Sequence, residues 1–189
     1  MQVLITVVVL VLIVPVLLIF FVIGLYNSLI RLRNQVDNAW SQIDVQLKRR
    51  HDLIPNLVET AKGYMKHERG TFEAITEARS RAMGAKTVSE ASKAEGALGE
   101  ALSKFMLVVE NYPDLKANQN FLSVQEELTA TENRIAFARQ NYNDQVLSFN
   151  NKIQMFPSNI VAGIFSFVKR DFFEVEIAAE REVPKVSFS

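Results

Sequence analysis

The chain has 189 residues with 21 basic and 21 acidic side chains, so its formal net charge at pH 7 is zero, and it contains no cysteine. The lack of cysteine excludes disulfides, thiolate nucleophiles and Cys-ligated zinc or iron–sulfur sites. The balanced charge argues against a nucleic-acid-binding protein. The length leaves room for one domain of ordinary size behind an apolar N-terminal segment.

That N-terminal segment is almost entirely apolar. From Val3 to Leu25 only Thr6, Pro15 and Gly24 interrupt the run. At about 1.5 Å rise per residue, a helix of this length spans the ~30 Å hydrocarbon core of a bilayer. The segment lacks the basic start and the small-residue cleavage site of a secretory signal peptide. The sequence therefore predicts an uncleaved transmembrane anchor over residues 1–26.

Basic residues follow this anchor, and none precedes it. Arg31 and Arg33 come directly after it, and residues 48–50 add three more basic side chains. Loops rich in lysine and arginine are retained on the cytoplasmic side of bacterial membranes. The sequence thus predicts a single-pass protein whose partner is the lipid bilayer and whose remaining residues face the cytoplasm.

A first long helix is predicted directly behind the anchor. Its apolar positions recur at spacings of three, four or seven, which is helical periodicity. They are Leu32, Val36, Ala39, Ile43, Leu47, Ile54, Leu57, Ala61 and Tyr64. The stripe stays in phase across Pro55, so one helix is expected to continue through the proline.

Two shorter helices are predicted next. One begins around Phe72 and ends near Gly84. The other is capped by Thr87 or Ser89, since both side chains can accept a hydrogen bond from the first turn. Residues 113–115 are predicted to be a connector.

The second long helix has the best heptad pattern in the chain. Its core positions are Phe121, Val124, Leu128, Thr131, Ile135, Ala138 and Tyr142, followed in a shifted phase by Val146, Phe149, Ile153 and Phe156. Two long helices can pair along their lengths with shorter helices beside them. The sequence predicts an all-α protein, with a transmembrane helix followed by an antiparallel four-helix bundle over residues 27–189.

The sequence changes character after Pro157. Residues 160–167 are apolar but too few to span a bilayer, so they form a cap on the bundle, a membrane-interfacial segment or a contact between subunits. The candidate interaction residues in this segment are Ile160, Ile164, Phe165 and Phe167. The tail from about residue 169 to 189 is rich in β-branched and aromatic residues, which predicts an extended conformation.

The side chains that support catalysis elsewhere are scattered here. His51 and His67 each adjoin an acidic residue, but neither has a second histidine four positions on, so both are expected at the surface or at the edge of the core. The glycine-rich phosphate loops and the GxSxG motif do not occur. Acidic residues are expected on solvated faces. The sequence predicts a non-enzymatic protein with no catalytic residue, metal site or cofactor.

Several blocks of sequence are similar to a known family. The longest is residues 26–58, and the others are residues 58–64, 112–116, 136–143, 156–160 and 183–186. With these blocks the chain strongly resembles the LemA family of bacterial membrane proteins over essentially its whole length. The resemblance implies an N-terminal transmembrane helix and a helical bundle at the bacterial inner membrane, and it implies no known reaction. Trp40, Arg49 and Arg50 lie in the longest block and are candidate contacts, although a tryptophan at the edge of a helical stripe is more often core.

Two hypotheses of function remain. The first is a membrane-anchored helical scaffold that forms homo-oligomers through its bundle or recruits another protein, which the sequence does not identify. The second is a regulatory or adaptor module that binds a peptide or an acyl ligand between its helices and assists a membrane protease or transporter. The second needs concave apolar space inside the bundle.

Overall fold

A computed structural model describes residues 1–174, apart from the side chains of residues 3–11. It contains six α-helices within that range, and no β-strand occurs between residues 1 and 174. The helices are α1 (Gln2–Lys62), α2 (Arg69–Met83), α3 (Val88–Val109), α4 (Pro113–Lys116), α5 (Gln119–Gln154) and α6 (Ser158–Ile164). The predicted all-α fold, a long apolar N-terminal helix followed by a helical bundle, is confirmed. Of the predicted extended tail, residues 169–174 form no helix, and residues 175–189 lie outside the described part of the chain.

The chain divides into two compact units. Unit 1 consists of Met1–Trp40 and Asn141–Arg170, and unit 2, as far as the structure describes it, consists of Ser41–Gln140 and residues 171–174. The two long helices, α1 and α5, each contribute residues to both units.

In unit 1, α1 changes character near Tyr26. The large apolar side chains between Leu12 and Ile23 are 38–68% exposed, and by length and composition α1 can cross a membrane. Protein burial begins at Leu25, and Leu29 is fully buried. An apolar surface of this extent is favourable only where water is excluded. Within the span predicted from Val3 to Leu25, residues 12–23 are therefore a part of α1 that the rest of unit 1 leaves exposed.

The core of unit 1 forms between α1, α5 and α6. Its buried apolar residues are Leu29, Val36 and Ala39 from α1, Tyr142, Val146, Phe149 and Ile153 from α5, and Val161 and Ala162 from α6. The phase shift predicted after Tyr142 is confirmed as far as Ile153, because Val146, Phe149 and Ile153 are all buried. The heptad prediction is wrong at Phe156, which is exposed because α5 has already ended at Gln154.

The core of unit 2 draws on α1 to α5. The predicted continuation through Pro55 is confirmed, because α1 is unbroken there. The apolar cluster of unit 2 includes Ile54, Leu57 and Ala61 from α1 and Met65 just after it. It also includes Phe72 and Ile75 from α2, Leu98 and Phe105 from α3, Leu115 from α4 and Phe121 from α5. The prediction is wrong at Tyr64. The helical spacing no longer applies after α1 ends at Lys62, so Tyr64 is exposed and Met65 is buried instead.

Local signals set the ends of the shorter helices. Thr87, and not Ser89, caps α3: its hydroxyl accepts a hydrogen bond from the backbone N–H of Glu90 at 3.1 Å. The Glu90 carboxylate accepts in turn from the N–H of Lys86 at 2.9 Å. The predicted connector after Tyr112 is instead the short helix α4, which begins with proline at its first position, where its missing N–H costs nothing.

Candidate functional site

Unit 2 contains a buried ion cluster formed by Arg50, His51, Glu95 and Glu132. Arg50 Nη1 lies 3.3 Å from Glu95 Oε2 and 3.2 Å from Glu132 Oε2. His51 Nε2 lies 2.6 Å from the other carboxylate oxygen of Glu95, Oε1. Arg50, His51 and Glu95 are 5%, 7% and 3% exposed, whereas the Glu132 side chain is 57% exposed. One buried carboxylate therefore holds two neighbouring residues of α1.

The helical stripes of α1 and α3 place these side chains in the core. On α1 the apolar stripe steps seven positions, from Leu47 to Ile54, and leaves a gap between them. Arg50 and His51, three and four residues after Leu47, lie on the same face of the helix and fill that gap. Glu95 takes the corresponding position on α3, three residues before the fully buried Leu98. The prediction that acidic side chains lie on solvated faces is therefore wrong at Glu95. The prediction for His51, a surface or core-edge residue, is also wrong, because it is buried with Glu95.

The buried ion cluster joins several helices of unit 2. Arg50 and His51 come from α1, Glu95 from α3 and Glu132 from α5. From α2, Arg79 Nε donates a hydrogen bond to the backbone carbonyl of His51 at 2.7 Å. Both carboxylate oxygens of Glu95 have a partner, one Arg50 and the other His51. Buried ionic groups whose hydrogen bonds are satisfied in this way fix the positions of the helices relative to one another. In the part of the chain that the structure describes, no three side chains are grouped to bind a metal ion.

Arg49 has a different environment from its neighbour Arg50. Its guanidinium pairs with Glu127 of α5 at 2.8 Å, and both side chains are about half exposed. Trp40, in unit 1, is half-buried, with its ring 5.5 Å from that of Tyr142 in an edge-on arrangement. Of the three candidate contacts in the longest matching block, Arg49 therefore lies on the surface, Arg50 is internal and Trp40 is at the edge of the core.

The four candidate interaction residues after Pro157 also differ in their burial. Ile160, Ile164 and Phe165 are 55%, 70% and 51% exposed. Phe167 is half-buried, and its ring centroid lies 5.9 Å from that of Tyr26 and 6.3 Å from that of Phe149. The apolar segment is therefore fixed to unit 1 through one set of residues while a second set remains exposed.

A polar contact fixes the chain just after this segment. Asn150 exchanges two hydrogen bonds with the backbone of Arg170, each 2.9 Å long. The Arg170 side chain pairs with Asp37 of α1 at 2.9 Å. Asn150 is one of many amides along α5, and it is buried in unit 1. Its side chain therefore connects α5 to the non-helical segment that follows α6.

Unit 2 has a further polar contact away from the buried ion cluster. Tyr112 Oη donates a hydrogen bond to Glu68 Oε1 at 3.0 Å. This bond raises the pKa of Tyr112, since the phenol must keep its proton in order to donate it. Asn118 donates to the hydroxyl of the exposed Tyr64 at 2.9 Å.

Comparison with known proteins identifies the family. The model of the LemA family matches residues 39–188. The chain is 31% identical to Protein LemA of Metamycoplasma hominis over 88% of its own length and 74% of that protein. It is 23% identical to Magnetosome protein MamQ 2 of Paramagnetospirillum magneticum and 22% identical to Magnetosome protein MamQ of Magnetospirillum gryphiswaldense, in each case over 84% of this chain and 68% of the relative. With these matches, which cover the residues of the buried ion cluster and the apolar segment of α6, the chain belongs to the LemA family.

Proposed function

We propose that this protein is a non-enzymatic, membrane-anchored scaffold at the bacterial inner membrane, with its bundle in the cytoplasm. The observation that carries the proposal is the continuity of α1. One helix has an apolar part, of which the protein leaves residues 12–23 exposed, and continues, without a break, into a part that supplies buried residues to both units. A helix of this kind holds the bundle at the membrane surface. In this proposal the anchor determines location, and the bundle makes the contacts.

The arrangement of the buried ion cluster in unit 2 supports a non-catalytic role. General acid–base catalysis needs a titratable side chain within hydrogen-bonding reach of a substrate. In the buried ion cluster, the acid and base groups of Glu95 and His51 are bonded to each other and shielded from water. Their arrangement suits a structural connection between helices.

Exposed apolar side chains on the helices of unit 2 support self-association. Phe137 on α5 and Val45 on α1 both lie on the surface. Aromatic side chains are enriched at the centres of protein interfaces, where burial gives them the largest gain. In this proposal Phe137 contributes to the contact between copies.

The adaptor hypothesis has less support from the structure. A peptide or acyl ligand held between helices needs a concave apolar site with walls from more than one helix. A shallow depression among the described residues of unit 2 is lined by one face of α5, through Leu122, Gln125, Glu126, Thr129, Ala130 and Asn133. Its geometry therefore favours a surface contact over an enclosed ligand.

Native mass determination of the full-length protein in mild detergent tests self-association. We expect the mass to be a multiple of the 21.4 kDa chain. Phe137→Ser should weaken the association about tenfold if this ring lies at the centre of the contact. Met83→Ser is the matched control, since Met83 is an exposed apolar residue on α2 in the same unit. A full-length protein that is strictly monomeric at all concentrations would contradict the self-associating scaffold.

Membrane topology is a separate prediction. The basic residues behind the span, Arg31 and Arg33, favour a cytoplasmic bundle. A reporter enzyme that is active only in the cytoplasm should therefore be active when fused after Ser189. The control is a second reporter that is active only outside the cytoplasm, fused at the same residue, which should be silent. The reverse pattern would place the bundle on the other side and change the available partners.

A further inference from the structure

The short helix α6 lies beside the point where α1 leaves its apolar span. The ring centroid of Phe165 is 4.7 Å from that of Tyr26, one residue after the predicted end of the span at Leu25. We propose that the exposed face of α6, defined by Phe156, Ile160, Ile164 and Phe165, inserts into the lipid–water interface of the bilayer that α1 crosses. The proposal rests on the membrane anchoring by α1 given above.

The contacts made after α6 establish which end of unit 1 it occupies. Phe165 contacts Tyr26, and the Phe167 ring lies under the guanidinium of Arg33 at 5.8 Å. Arg170 then pairs with Asp37. Since α1 rises about 16 Å between Tyr26 and Asp37, the segment after α6 follows α1 away from the span. The helix α6 is therefore at the end of this path that is nearest to the membrane.

The two faces of α6 differ in the way that an interfacial helix requires. Ser158, Val161 and Ala162 are buried against unit 1 at spacings of three and four residues. Ile160 and Ile164, four residues apart, point away from it, and Phe156 before the helix is 78% exposed. An apolar face of this kind at the membrane level replaces contact with water by contact with acyl chains.

The charges around α6 suit the same location. No acidic or basic residue occurs from residue 153 to residue 168, so the segment can enter the headgroup region without burying a charge. The basic residues nearest to this level are Arg31 and Arg33 of α1, which directly follow the span and are exposed. Basic residues beside an interfacial apolar face are attracted to the anionic lipids of the cytoplasmic leaflet. The uncharged face and these neighbouring arginines therefore match a phospholipid surface that carries negative charge.

Site-directed spin labelling of the full-length protein in vesicles of mixed zwitterionic and anionic phospholipid tests the proposal. The chain has no cysteine, so single variants can be labelled directly. The test position is Ile164→Cys. Leu107→Cys is the aqueous control, since Leu107 is exposed to the same degree, 71% against 70%. Phe20→Cys reports on the span.

Collision with oxygen, which partitions into lipid, and with a water-soluble nickel chelate gives the depth of each label. We expect the Ile164 label to show an oxygen-to-nickel ratio at least about threefold above that of Leu107, and below that of Phe20, as for a side chain at the boundary of headgroups and acyl chains. An Ile164 ratio equal to that of Leu107, with the Phe20 label in lipid, would overturn the interfacial proposal and leave the anchor intact. An Ile164 label shielded from both reagents would overturn it in favour of a contact with a second copy. A Phe20 label in water would overturn the anchoring itself.

Discussion

Replacing Glu95 by glutamine is expected to destabilise the protein by about 3–5 kcal/mol, the range for breaking a buried ion pair. The substitution keeps the size of the side chain and removes its charge. Among the residues that the structure describes, Arg50 would then keep only Glu132 as an anionic partner, and that carboxylate is largely exposed. The hydrogen bond from His51 would also lose its charged acceptor. Thermal unfolding of the full-length protein in mild detergent, followed by circular dichroism, measures the loss.

The matched control for this prediction is Glu127→Gln. Glu127 pairs with Arg49, the residue next to Arg50, but both members of this pair are about half exposed. Solvent-exposed pairs of this type contribute about 0–1 kcal/mol, so the control should unfold close to the wild-type temperature. Equal losses for the two variants would show that burial does not determine the strength of these ion pairs and would contradict the structural role of the buried ion cluster.

The sequence predicted the helices of this protein more completely than its interactions. A helical stripe depends on the spacing of apolar residues within one segment, and that information is local. It correctly placed α1 through Pro55 and most of the buried positions of α5. It was wrong at the ends, at Tyr64 and Phe156, because a stripe does not say where the last hydrogen-bonded turn ends.

The buried ion cluster was missed because its partners are far apart in the chain. His51 and Glu95 are separated by 44 residues, and no local pattern relates them. Arg50 and His51 follow Lys48 and Arg49 in a polar run, and the sequence predicted a contact residue at Arg50 and a surface or core-edge residue at His51. The available signal was the gap in the stripe between Leu47 and Ile54, since a helix that is buried on both sides of a gap is also buried within it.

The apolar segment of α6 shows a second limit of sequence patterns. Residues 160–167 are apolar at nearly every position, so periodicity cannot separate an inner face from an outer one. The structure makes that separation, with Val161 and Ala162 buried and Ile160 and Ile164 exposed. One face of the segment therefore caps the core of unit 1, and the other face is available for a further contact. Whether this second contact is lipid depends on how firmly the segment is held at the level of Tyr26.

Phe149 is the residue that should determine how firmly that segment is held. Its side chain is almost fully buried in the core of unit 1, and its ring packs against Phe167, which in turn contacts Tyr26. Phe149→Ala should lower the free energy of unfolding by about 3–5 kcal/mol, the range for a large core ring replaced by a cavity. Leu147→Ala, two residues earlier on α5, is the control, and it should cost under about 1 kcal/mol because Leu147 is half exposed.

Hydrogen exchange of the same variants separates a general loss of stability from a local one. If Phe149 supports α6 through Phe167, the backbone amides of residues 158–167 should exchange faster in Phe149→Ala than in wild type, by more than the amides of unit 2 do. The Leu147→Ala variant should leave α6 unchanged. A Phe149→Ala variant that loses stability with no preferential exchange in α6 would show that the segment is held by its other contacts, such as the buried face of α6 and the hydrogen bonds between Asn150 and Arg170. In that case the aromatic contacts from Phe149 to Tyr26 would not be what keeps α6 at the membrane end of unit 1.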